Sequence, residues 1–171
     1  MDKRKQANLK VKQAITDTLF DLMSEKDLHK ISITEITEKA GVARISFYRN
    51  FSSKENVLVT LINDALNDFK ENADYDISNP YTLHHIKRVF KYFLKYKKYM
   101  LNLYYAGYGS MVLETLNAFH ESIMPNPKSD KDRYHLYMYI GALYNTVIYW
   151  LQEEKPVSVE TIAHIVLKQT K

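Results

Sequence analysis

The sequence predicts an all-α protein of about nine helices, in which an N-terminal three-helix unit precedes a larger helical domain. Three observations lead there. Four glycines and four prolines are spread over 171 residues, whereas a β-rich fold of this size needs turn residues about every 8–12 positions. Apolar residues recur at three- and four-residue spacing along most of the chain, the period of helices with one buried stripe. A composition of 46% hydrophobic and 26% charged residues suits a chain that buries a substantial core rather than one that stays disordered.

The first helix is expected from Leu9 to about Lys26, on Val11, Ile15, Leu19, Leu22 and Met23. In "SITEITEKAG", Ser32 and Glu35 have the spacing of a capping box, Ile33 and Ile36 face inward, and Gly41 supplies the left-handed residue that stops the helix. The second helix therefore spans about 33–40. Next comes "ARISFYRNF", where Val42 packs in the turn, Ile45 or Phe47 is the anchor, and Phe51 lies one turn beyond Phe47. A helix this short, carrying Arg44, Ser46, Tyr48, Arg49 and Asn50, has few apolar positions and must be pinned by its neighbours. Ser52 or Ser53 caps a fourth helix over 53–73, on Val57, Leu58, Leu61, Ile62, Ala65, Leu66 and Phe69. This helix connects an N-terminal domain, 1–55, to a second domain, 56–171.

Asn79 as N-cap and Pro80 at the first helical position open the fifth helix, made by Val89, Phe90, Phe93, Leu94 and the tyrosines after them. That helix should break near Tyr96–Lys98 into a short sixth. Gly107 and Gly109 mark the turn before a seventh, 110–123, on Met111, Val112, Leu116, Phe119 and Ile123. "PNPKSD" is a linker, followed by an eighth helix over 130–153 and a ninth over 158–169.

Charge and composition narrow the function classes. Residues 1–55 hold eleven Lys/Arg against eight Asp/Glu, and residues 56–171 thirteen against twelve, so the basic excess lies at the N-terminal end. Such an excess suits a surface that touches phosphates, or simply a solvated face. The absence of cysteine excludes disulfides and thiolate metal sites. "MDKRKQANLK" lacks the apolar core of a signal peptide, and no apolar run approaches the roughly 18 residues of a membrane span, so a cytoplasmic protein without membrane contact is expected. His84 and His85 are adjacent and diverge on a helix, while His120 and His135 stand alone, so no metal is expected. No nucleophile, base and orienting acid recur at useful spacing, so neither an enzyme nor a cofactor is expected. Lys87, Arg88, Lys91, Lys95, Lys97 and Lys98 lie within twelve positions without an acid; they attract an anionic effector, add DNA contacts, or form a solvated face.

Two short helices joined by a glycine-containing turn form either an ordinary helical hairpin or a helix-turn-helix whose second helix enters the roughly 12 Å wide major groove of DNA. Residues 31–58, "ISITEITEKAGVARISFYRNFSSKENVL", resemble the DNA-binding domain of the tetracycline repressor (TetR) family at Ile36, Ala40-Gly41-Val42, Tyr48 to Phe51, and Lys54. The likeness covers about fifty residues with the first helix. Three positions depart from it: Ala43 stands where Ser or Thr usually caps the recognition helix, Ile45 where Gly is frequent, and Ser52 where Pro is common. The resemblance implies that Ala43, Arg44 and Ile45 meet base edges, Arg44 by bidentate donation to guanine and Ile45 at a thymine methyl. It further implies phosphate contacts from Ser46, Tyr48, Asn50 and Lys54, with Tyr48 alternatively a core aromatic. Lys3, Arg4 and Lys5 would form a flexible arm or a frayed terminus.

Eleven of the fourteen tyrosines lie between Tyr92 and Tyr149. A tyrosine offers a large ring with one hydroxyl, which suits the wall of a small-molecule pocket as well as a core. Tyr92, Tyr96, Tyr99, Tyr104, Tyr105, Tyr108, Tyr137, Tyr144 and Trp150 are the candidates for an effector site. Val159, Ile162, Ala163 and Val166, with Ile165, give the ninth helix an apolar stripe, and Gly141 and Ala142 allow close backbone approach on the eighth. These residues predict a four-helix homodimer interface. Together with the resemblance, they imply a dimeric, ligand-responsive repressor on a palindromic operator, or a co-regulator that recruits a protein partner and reads DNA weakly.

Overall fold

The computed structural model describes residues 3–74, 76–124 and 129–169. Among these, the helices are α1 Lys3–Met23, α2 Ile33–Lys39, α3 Arg44–Asn50, α4 Lys54–Glu71, α5 Leu83–Lys95, α6 Lys97–Tyr105, α7 Gly109–Ile123, α8 Asp130–Gln152 and α9 Val159–Gln169, with a 3₁₀ turn at Leu28–Lys30. No strand occurs among the described residues, and the protein is all-α. The chain divides into two compact units, Met1–Ala65 and Leu66–Lys171. The division falls inside α4, ten residues beyond the 55/56 boundary that the sequence suggests. The start of α4 belongs with the first unit because Lys54 and Asp64 bond back to it, Lys54 Nζ to the Leu28 carbonyl and Asp64 to Lys12.

In the first unit α1 packs on α2 and α3, and α2 on α3. Ile15, Leu19, Phe20, Ile36 and Phe47 are completely buried, which places one apolar stripe from each helix in a common core. Ser32 caps α2, its hydroxyl accepting the Glu35 amide at 3.1 Å. Gly41 at φ +66° ends α2: its amide reaches the Glu38 carbonyl at 3.1 Å and the Val42 amide the Thr37 carbonyl at 3.0 Å. This pair of bonds is a Schellman motif, and its left-handed residue strains any side chain bearing Cβ. Two boundaries differ from expectation. α1 begins at Lys3, so Lys3, Arg4 and Lys5 form its first turn rather than a free arm, and it ends at Met23, where the 3₁₀ turn takes over.

In the second unit α5 packs on α9, α7 on α8, and α6 bridges α7 and α8. Ile86, Phe90 and Leu103 are completely buried, with Leu136, Val147 and Leu151 beside them in the core. The Trp150 ring meets Phe90 edge-on at 5.3 Å, and its Nε1 donates to the Val157 carbonyl at 2.8 Å. Gly107 at φ +83° repeats the Gly41 device at the end of α6, where the Tyr108 amide bonds the Leu103 carbonyl at 2.8 Å. The start of α5 corrects the expected Asn79–Pro80 cap: Thr82 is the N-cap, its hydroxyl accepting the His85 amide at 3.1 Å. Asn79 instead accepts the Tyr81 amide at 3.2 Å, and the Pro80 carbonyl accepts the buried Tyr139 hydroxyl at 2.8 Å. That hydroxyl would otherwise be buried without a partner. Ser129 caps α8 by accepting the Asp132 amide; residues 125–128 of the expected "PNPKSD" linker lie outside the described residues.

Candidate nucleic-acid interface

The buried Phe47 ring holds α3 to its unit, 5.8 Å from Phe51 and 5.7 Å from Tyr48. Everything opposite Phe47 is turned outward. Arg44 is exposed, Ile45 is 67% exposed and Tyr48 51% exposed. An isoleucine so placed contributes little to the core and adds apolar surface beside a cation and a phenol. The Arg44 guanidinium is held rather than loose: it donates to the Tyr48 hydroxyl at 3.2 Å and to Thr34 Oγ1 at 3.5 Å, and lies over the Tyr48 ring at 5.7 Å. Ala43 occupies the N-cap without a side-chain bond, which leaves the helix start less supported than Ser or Thr would.

Two expected phosphate ligands have intramolecular work. Asn50 Nδ2 turns back onto the Ser46 carbonyl at 2.8 Å. Lys54 Nζ donates to the Leu28 carbonyl at 2.7 Å and the Ile31 carbonyl at 2.5 Å, so two of its three protons tie the 3₁₀ turn and the α2 approach to α4. A phosphate contact would use the third. Ser46 is half-buried. Thr34, which steadies Arg44 from the neighbouring helix, was not legible from sequence, because nothing in the spacing says which α2 residue faces the start of α3.

The nine effector candidates do not share one wall. Tyr92, Tyr96 and Tyr99 run together, with ring centroids 6.4 and 6.3 Å apart along the series. Tyr92 donates to the Asp68 carboxylate at 3.1 Å, and Lys95 donates to the same carboxylate at 3.0 Å. The Lys95 hydrogen bond holds Asp68 below the ordinary carboxylate range, while burial, then Asp68, pushes the Tyr92 hydroxyl up. Tyr104 and Tyr105 stack edge-on at an exposed surface, and exposed Tyr137 donates to Glu121 at 3.1 Å. Tyr108 and Tyr144 are half-buried, and Trp150 belongs to the core.

A different cluster fills the interior between α4, α5 and α7. The Phe69 ring is 5.6 Å from His85 and 6.4 Å from Phe119, and His85 is 6.2 Å from His120. Burial, then His120, depresses His85 to about 4; burial also lowers His120. Both imidazoles are neutral near pH 7. The sequence hid this pairing because residues 85 and 120 meet only through tertiary structure, though each sits among apolar neighbours at helical spacing.

At least three residues of the basic run are committed internally. Lys87 pairs with Glu160 at 2.6 Å, Lys95 with Asp68, and Arg88 donates to the Phe69 carbonyl at 3.0 Å while lying over the Phe69 ring at 5.0 Å. α9 also departs from expectation. It packs on α5 of its own chain and buries Ile162 and Ala163 there, so those two residues belong to the core, and Val159 and Val166 are half-buried. The outward apolar surface is on α8 instead: Tyr134 is 76%, Met138 69% and Tyr149 66% exposed, with exposed Ala142 between them. Among the described residues, no group of three or more metal-ligating side chains gathers and no helix is long and apolar enough to cross a membrane.

Residues 15–61 match the family model of bacterial regulatory proteins, tetR family. The match covers 47 of the 171 residues, and over that segment the chain is similar to tetR-family regulators. Sequence likeness to curated proteins covers part of the chain: the fatty acid metabolism regulator protein of Bacillus subtilis (strain 168) is 31% identical over 68 residues, 40% of this chain and 35% of that protein. The HTH-type transcriptional regulator EthR of Mycobacterium tuberculosis is 39% identical over 54 residues, 32% of this chain and 25% of that one. The chain thus spans about a quarter to a third of the length of these curated relatives. The fold likeness is wider. A TetR transcriptional regulator from Streptococcus agalactiae 2603V superposes with a TM-score of 0.69 at 20% identity, over 98% of this chain and 97% of that one. The dihydroxyacetone kinase operon activator DhaS superposes with a TM-score of 0.58 at 16% identity, over 94% and 93%. No enzymatic family is indicated by these likenesses.

Proposed function

We propose that this chain is a TetR-family transcriptional regulator that binds operator DNA through α3 as a homodimer and releases it when a small molecule binds the second unit. One observation carries the DNA reading: α3 is pinned by Phe47 on one side and presents Arg44, Ile45 and Tyr48 together on the other. Those three supply a bidentate donor for guanine, an apolar contact for a thymine methyl and a phosphate or backbone hydroxyl. Ala43 lies at the helix start beside them, Ser46 and Asn50 flank them, and Lys54 adds its remaining proton.

A second copy is the occupant proposed for the α8 surface. Tyr134, Met138, Ala142 and Tyr149 lie at four- and seven-residue spacing on one stripe. The space above Gly141 is open to at least 4 Å within this chain, which suits close approach of a partner backbone. A two-fold pair also matches two successive major grooves about 34–36 Å apart. Repression is the sign that family likeness favours, while a like-folded neighbour is named as an operon activator. The uncapped Ala43 and inward-turned Asn50 favour a second reading, a co-regulator that reads DNA weakly and recruits a protein. Fluorescence anisotropy with purified protein and duplexes selected from random DNA separates the two: tight, sequence-dependent binding by the protein alone supports direct reading, and weak, uniform binding refutes it.

A further inference from the structure

We infer that the inward face of α7 at Asn117 and His120 is a binding site for a small uncharged molecule that joins an apolar body to a hydrogen-bond donor. His120 is 6% exposed, and its Nδ1 lies 2.8 Å from the Leu116 carbonyl. A carbonyl only accepts, so Nδ1 carries the proton and Nε2 is a bare acceptor. That Nε2 is buried with no partner, and so is Oδ1 of Asn117, one turn earlier on the same helix. Buried acceptors without donors are uncommon in folded proteins and call for an explanation at each site.

The surroundings define what would supply the donor. Phe119 lies 5.4 Å from the His120 ring, His85 6.2 Å, and Phe69 reaches both Phe119 and His85. Aromatic rings from three helices thus offer edges and faces to an apolar body. The Arg88 guanidinium, over Phe69 at 5.0 Å and Tyr92 at 5.2 Å, disfavours an ammonium. Bare lone pairs on Nε2 and Oδ1 disfavour an anion. A neutral phenol, alcohol or amide satisfies both conditions. The site deepens the effector reading above and rests on it only for its link to DNA.

Phenol and toluene test the inference, since they differ by one hydroxyl. In the wild-type chain phenol should bind at least about tenfold more tightly than toluene, and should move the His120 Nε2 resonance in a two-dimensional ¹⁵N spectrum toward that of a hydrogen-bonded nitrogen. His120→Phe should abolish the preference while still binding toluene; if that variant fails to fold, the wild-type nitrogen resonance decides alone. Equal affinities, an unmoved Nε2 resonance at saturation, or no phenol binding at millimolar concentration overturns the site. Operator affinity measured with phenol bound is a separate readout: a change supports the link to regulation, and no change overturns that link while the site itself stands on the spectra.

Discussion

Replacing Lys54 by Met separates a structural lysine from a phosphate-binding one. The thioether keeps most of the aliphatic stem and removes the ammonium, whose bonds to the Leu28 and Ile31 carbonyls measure 2.7 and 2.5 Å. Hydrogen bonds to a charged group contribute about 1.5–3 kcal/mol each. The Leu28 carbonyl keeps the Ile31 amide at 3.1 Å, and Lys54 is only half-buried, so each bond falls below that range, at about 1 kcal/mol, and the two together contribute about 2 kcal/mol. A domain of 60–100 residues loses roughly 4–8 °C of Tm per kcal/mol. The transition of the N-terminal unit should therefore drop by about 8–16 °C, with faster amide exchange concentrated at the 3₁₀ turn and the start of α2. Binding isotherms across a salt series give the complementary number, since a lost phosphate contact lowers the slope of log K against log salt by roughly one. An unchanged Tm with a reduced salt slope would refute the structural assignment and leave Lys54 as a phosphate ligand alone.

Arg44→Ala should cost about 1–3 kcal/mol in operator binding and relax preference at one base position; unaltered preference in a selection from random DNA would remove its base-reading role. Stability should fall on acidification through the range from 6.5 to about 4, because unfolded His85 binds a proton there that the folded, buried imidazole refuses beside His120 and Arg88. The loss is about 3 kcal/mol, and His85→Phe should flatten that limb of the urea-denaturation profile against pH. Met138→Glu with Tyr149→Glu should convert a dimer to a monomer in sedimentation velocity, whereas Ile162→Glu should unfold the second unit; a dimeric double variant would rule out the α8 surface.

The helices were legible because their determinants are local. Gly41 needed a positive φ, Ser32 and Glu35 had capping spacing, and Phe47 lay opposite a polar run; each acts within a few residues. The misplaced boundaries had local competitors. "KRKQ" carries no apolar period to announce a helix, and Asn79–Pro80 imitated a cap that Thr82 supplies. Tertiary partners were illegible. Nothing near residue 54 says that its ammonium reaches carbonyls more than twenty residues back, α9 shows an apolar stripe without saying that α5 covers it, and His85 meets His120 only after α5 and α7 pack.

Selection of bound duplexes from random DNA by the purified chain tests the central claim most directly. The account predicts enrichment of one two-fold-symmetric site, with half-site centres about one helical turn apart, bound at least about 10³-fold more tightly than random duplex at fixed salt. Uniform binding with no enriched sequence, from a protein whose α3 is folded, would contradict it.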